Sequence, residues 1–155
     1  MKRKIGRWLI EFDPDITRNC YSLIPVGTGC SCSYCRNFDA AAGQTFPTEW
    51  YELSETIGID PVKPAELCHW YREPSGLYFT GGWFHFVGSI VSGEDVKTYS
   101  GNTGSYRFEE LVPGLEFGFG SHLSLVRSEF AELSIVQLEF QTRVPWVLAE
   151  PEPTT

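Results

Sequence analysis

Leu77-Tyr78-Phe79-Thr80-Gly81-Gly82-Trp83-Phe84-His85-Phe86-Val87-Gly88-Ser89-Ile90-Val91 is the stretch whose reading decides the fold. Aromatic and β-branched residues crowd it, and such side chains suit a pleated, half-buried surface. Trp83, His85 and Val87 fall on one side of an alternation and Phe84 and Phe86 on the other, the period of two that marks a strand. The Gly81-Gly82 pair reads as a hairpin connection, so two strands are expected, over 77–80 and 83–91.

Working outward, the second half of the chain continues in strands. Segments 106–111, 115–119, 123–126 and 134–142 carry the same signature, with Pro113-Gly114 as a turn and a polar loop over 92–105. On the other side, 66–72 reads as a strand. Further back the period changes. Pro47 sits at the first helical position and Phe46, Trp50, Leu53 and Ile57 form a stripe at helical spacing, while Glu49, Glu52 and Glu55 face away; Gly58 and Pro61 end that helix. A second short helix is expected over 34–42, with Ser33 as N-cap and Gly43 as stop. Before it, 5–12 reads as one strand, Asp13-Pro14-Asp15 as a turn and 20–24 as a short strand. The connections are too short for crossover helices, so the strands pair antiparallel. The reading is a strand-rich α+β fold: antiparallel sheet with two short helices in the first half, one domain over 1–150 and a frayed tail over 151–155. Segment 144–148 is expected to dock the end of the chain.

The net charge of -8 opposes binding to nucleic acid, whose phosphates require lysine and arginine. The basic cluster Lys2, Arg3, Lys4 and Arg7 reads as a solvated arm. The apolar run Trp8-Leu9-Ile10 ends at Glu11, too short for a signal or a membrane span. A cytoplasmic setting follows, where thiols stay reduced.

That setting gives weight to Gly27-Thr28-Gly29-Cys30-Ser31-Cys32-Ser33-Tyr34-Cys35, which holds three of the five cysteines. Cys32 and Cys35 have the Cys-x-x-Cys spacing that points two thiolates at one ion, and Cys30 adds a third from a glycine-flexible loop. Zinc takes four such ligands, so the cofactor expected at Cys30, Cys32 and Cys35 is zinc, with the fourth ligand drawn from Cys20, Cys68, His69, His85 or His122. Two other readings stand beside it. One is a thiol catalyst, with Cys32 or Cys35 activated at a helix start and paired with a histidine. The other is a set of buried thiols acting as small apolar residues, which also suits Cys20 and Cys68.

His85, between two phenylalanines, reads as a hydrogen-bonded core histidine, and His122 as an exposed one. Trp70, Tyr78, Trp83 and Tyr99, if gathered on one sheet face, would stack on a sugar or grip a protein. Neither a phosphate loop nor a nucleophile elbow is present. Function is therefore expected to be non-enzymatic binding of a protein partner, in the manner of inhibitory or immunity proteins. The alternative is an enzyme with a Cys–His or metal centre at the cysteine cluster.

The Cys30–Phe38 run, together with Ile57-Gly58-Ile59-Asp60-Pro61, Gly82-Trp83-Phe84-His85-Phe86-Val87-Gly88 and Val144-Pro145-Trp146-Val147-Leu148, resembles a group of small uncharacterised bacterial proteins. The resemblance covers most of the chain. It implies a bacterial, intracellular setting and carries no functional residues across.

Overall fold

A computed structural model describes residues 1–154. The elements run β1 (Lys2–Ile5), β2 (Trp8–Phe12), α1 (Pro14–Leu23), α2 (Ser33–Ala41), α3 (Thr48–Ile57), β3 (Glu66–Arg72), β4 (Tyr78–Ser92), β5 (Lys97–Ser100), β6 (Thr103–Tyr106), β7 (Glu109–Val112), β8 (Leu115–Gly120) and β9 (Ile135–Val144). Seven strands form an antiparallel sheet in the order β1-β2-β4-β9-β8-β7, with β3 also on β4, and β5 pairs with β6 separately. The strand-rich α+β expectation holds. No helix among the described residues is long and apolar enough to cross a membrane.

Four local expectations are corrected. The 77–91 stretch is one strand of 15 residues, not a hairpin. Its glycines serve close approach instead of a turn. A methyl group on Gly82 would overlap the Glu66 carbonyl oxygen of β3, and one on Gly81 would overlap the Trp70 indole. The first strand is a hairpin, β1 with β2, turning at Gly6 and Arg7. Segment 20–24 is mostly the end of α1, a third helix that the sequence conceals. Asp13 caps it, accepting from the backbone N–H groups of Asp15 and Ile16, and Pro14 opens it. Finally, 123–126 is not a strand, whereas β5 and β6 lie inside the expected 92–105 loop and its border.

β4 is the central strand. Residues 78–87 of it pair on one side with β9, from Tyr78 opposite Val144 to Val87 opposite Ile135. On the other side β3 covers its first half and β2 its last. Between them α1 fills the gap with hydroxyls: Tyr21 Oη donates to His85 O, and Thr17 Oγ1 accepts from Val87 N. This explains why α1 buries Thr17 and Tyr21 where a leucine would be expected. Buried main-chain groups need partners, and these side chains supply them.

α2 and α3 cover one face of the sheet. Phe38 and Trp50 lie against Phe140, and Trp50 also against Phe84, with ring centroids 5.4–6.2 Å apart. The opposite face of β9 is polar, carrying Gln137, Glu139, Gln141 and Arg143. Arg143 bridges Glu73 and Glu116 there. The two ends of the strand order meet through Arg7, whose backbone N–H and guanidinium both reach the Glu109 carboxylate of β7.

His85 is a core histidine, 1% exposed. Its Nε2 lies 3.0 Å from Gln137 Oε1, which also accepts from Ser124 N. The Gln137 oxygen is thus an acceptor and His85 Nε2 carries the proton. Burial lowers the pKa of His85 below 6.5, partly opposed by that hydrogen bond and assisted by the charge of Arg127.

Two predictions follow from these contacts. Gly82→Ala should cost about 2–3 kcal/mol in chemical denaturation, because β3 must move off β4. Gly43→Ala, where a methyl group meets nothing, should stay within about 0.5 kcal/mol. The His85 sign is also determined. The folded protein holds it neutral while the unfolded chain protonates it, so its contribution is complete above pH 6.5 and lost as the pH falls. Urea titrations at stepped pH should show the unaltered protein losing up to about 1.4 kcal/mol per pH unit more than His85→Gln below that point.

Candidate metal centre

The cysteine loop is shaped by its glycines. Gly27 and Gly29 both have left-handed φ, 90° and 78°, which other residues resist. Asp39 of α2 accepts from Thr28 N at 3.1 Å and ties the loop back to the helix. The N-cap is Cys32, not Ser33: its sulfur accepts from Cys35 N at 3.4 Å, and Cys30 Sγ accepts from Cys32 N at 3.5 Å. Main-chain N–H groups therefore point at two of the three sulfurs, which favours thiolates.

The donor atoms of Cys30, Cys32 and Cys35 all lie within 4.8 Å of one another, so the three cysteines can hold one metal ion. Cys30 and Cys32 are exposed and Cys35 is buried. Cys32 falls below the ordinary thiol range although burial alone would raise it; hydrogen bonds from Cys35, Cys30 and Tyr34 outweigh that. Cys35 is pushed up to about 12 by burial and by donating to its neighbours.

One histidine reaches the cluster. His69 Nε2 lies 4.0 Å from Cys35 Sγ. In a tetrahedral zinc site the sulfur-to-nitrogen edge is roughly 3.6 Å. His69 is near that distance from Cys35 but is not one of the donors lying within 4.8 Å of one another, so the loop or the ring would have to close for it to join Cys30 and Cys32. The other ring nitrogen, Nδ1, is 3.4 Å from Thr80 Oγ1, and that hydroxyl donates to Tyr78 O at 3.2 Å. With the Thr80 proton committed to Tyr78, Nδ1–H donates to Thr80 and the Nε2 lone pair faces Cys35 Sγ. A second group that sets the tautomer in this way is a regular companion of metal-bound histidine. Burial lowers the His69 pKa and keeps the ring neutral, the form that ligates. Tyr34 packs on the ring at 5.1 Å, tilted by 31°, and itself packs edge-on to Tyr78 and Trp146.

The remaining ligand candidates lie elsewhere. Cys20 is buried on α1, and His85 is engaged with Gln137. His122 is half exposed and paired with Asp95 at 3.2 Å. Cys68 precedes His69 and therefore emerges on the opposite face of the sheet, beside Trp83 and Glu139. Thr80 had no signal in the sequence, and only its pairing with His69 across β3 and β4 reveals it; Tyr34 of α2 is placed by its ring contact with His69.

The end of the chain completes the surroundings. Asn37 of α2 donates to Pro145 O and accepts from Val147 N, so 144–148 docks as expected. Arg36, beside the cluster, forms a two-pronged pair with Glu150 at 2.8 Å. Farther along, the Glu152 carboxylate accepts from Tyr78 Oη and pairs with Arg72. Comparison of the chain with protein-family models, with curated proteins and with solved structures finds no match.

Proposed function

We propose that this chain is a non-enzymatic binding domain of the bacterial cytoplasm whose cysteine loop is locked by one zinc ion, with Cys30, Cys32, Cys35 and His69 as ligands. The carrying observation is that three sulfurs lie within 4.8 Å of one another and one of them, Cys35 Sγ, is 4.0 Å from His69 Nε2. Three thiolates and one imidazole suit zinc better than calcium or magnesium, which prefer oxygen. Four protein ligands close the shell. Catalytic zinc needs an open position for water or substrate, so a closed shell argues for a structural role. The ion would join the loop after α1, the start of α2 and strand β3. The net charge of -8 suits a protein partner with a basic face.

The same 4.0 Å contact supports a second reading, a Cys–His nucleophile. Burial of Cys35 and its high pKa oppose it, because catalysis requires the thiolate.

Protein purified without chelator should carry about one zinc per chain by elemental analysis; metal-free protein that refuses added zinc would overturn the reading. Cys32→Ser and His69→Ala should each lose the ion, whereas His122→Ala should retain it. Thr80→Val should weaken zinc binding about 10–100-fold, measured by competition with a chromogenic chelator. Because the ion binds only the folded chain, stripping it should lower stability by about 4 kcal/mol at zinc a thousandfold above Kd.

A further inference from the structure

The face of the sheet away from the helices carries a second constructed feature. Cys68, Trp70 and Trp83 emerge there, and the end of β6 and the segment after it bring Tyr106 and Phe108 over them. Together with Glu139 and Gln141 they line a cleft of about 250 Å³. That volume takes one side-chain-sized group and is below the usual range for larger ligands.

Its walls are set by contacts already described. The Trp70 indole lies over Gly81, where any side chain would collide with it, and packs on Phe79 with centroids 4.8 Å apart. The β3 register shifts between His69 and Tyr71, a bulge that aims Trp70 at this face. The Trp83 indole donates to Ser124 O at 2.9 Å, which anchors its ring. Tyr106 and Phe108 stack on each other, 8° from parallel.

Glu139 is the one acidic group in the cleft. Gln137 holds it. The Gln137 oxygen is used by His85 and Ser124, so its amide nitrogen points the other way and donates to Glu139 Oε1 at 2.7 Å. Among the described residues no other side chain or backbone group hydrogen-bonds the Glu139 carboxylate, and the positive charge acting on it is that of Lys97. A half-buried carboxylate, aimed by a buried relay and surrounded by aromatic rings, is an arrangement that lowers the energy of a cation. Ring faces attract positive charge, and a partly desolvated carboxylate pairs with it strongly. At the rim Tyr106 already makes that interaction: Lys97 Nζ lies 5.3 Å from its ring.

We propose that this cleft binds an organic cation, an alkylammonium or guanidinium head group, with Glu139 as its counter-ion and Trp70, Trp83, Tyr106 and Phe108 as its walls. The site is independent of the metal centre, which lies on the opposite face of β3. A neutral sugar, the other ligand that aromatic walls would suit, makes no use of the charge that Gln137 positions.

Choline and its neutral isostere 3,3-dimethyl-1-butanol have the same shape and differ in charge, so they separate the two possibilities. Zinc-loaded protein titrated with each, followed by calorimetry and by the indole N–H signals, should bind choline at least about tenfold more tightly. The Trp70 and Trp83 signals should move, and those of Trp8 and Trp50 should not. Glu139→Gln keeps the acceptor for Gln137 and should remove about tenfold of the choline affinity. Should that variant fail to fold, Trp70→Ala, at a half-exposed position, should produce the same loss. Equal binding of the two probes, no saturable choline binding, undiminished binding by the variants, or saturation by methyl glucoside instead of choline would each overturn the proposal.

Discussion

The close approach of β3 to β4 is the constraint on which both candidate sites depend. At Gly82 the Glu66 carbonyl occupies the space a side chain would need, and at Gly81 the Trp70 ring does the same. These two contacts fix which residues of the strands stand opposite each other, His69 facing Thr80 and Cys68 facing Gly81. Alternation along β3 then separates neighbours to opposite faces: His69 toward the helices and the cysteines, Cys68 toward the aromatic cleft. A slip of one residue would exchange them and dismantle both.

The helix side shows why a metal would be useful there. α2 has nine residues, too few to be stable alone in water. Phe38 buries it against Phe140, and Asn37 clamps the terminal segment. Its first turn, by contrast, rests on exposed Cys30 and Cys32, with only sulfur acceptors for its N–H groups. A four-ligand ion would convert that weakest point into a cross-link between loop, helix and sheet. The Thr80–Tyr78 relay behind His69 fixes the ring's orientation beside Cys35.

Much of this was legible in the sequence, and the failures have physical causes. Period-two and period-3.6 patterns reveal β4, β8, β9 and α3, because one face of each is apolar, whereas β5 and β6, largely exposed, are hidden in what reads as a loop. α1 was hidden because its buried side consists of hydroxyls and a thiol, Thr17, Tyr21 and Cys20, serving the edge of β4. The Gly81-Gly82 pair was read as a turn because local sequence does not distinguish glycine used for turning from glycine used for contact. The cysteine cluster was visible from spacing alone, but its histidine was one of five candidates. Selecting His69 requires the register of β3 on β4, which is information from across the fold. Glu139 carried no signal, since its setting depends on a glutamine whose orientation is dictated by His85 and Ser124.

X-ray absorption at the zinc edge of the purified protein tests the central claim most directly. The account predicts a shell of three sulfurs at about 2.3 Å and one nitrogen at about 2.0–2.1 Å, with imidazole scattering beyond it, and its loss of the nitrogen and imidazole contributions in His69→Ala. A shell of four sulfurs, a shell with a bound water in place of the imidazole, or a spectrum unchanged by the His69 substitution would contradict it.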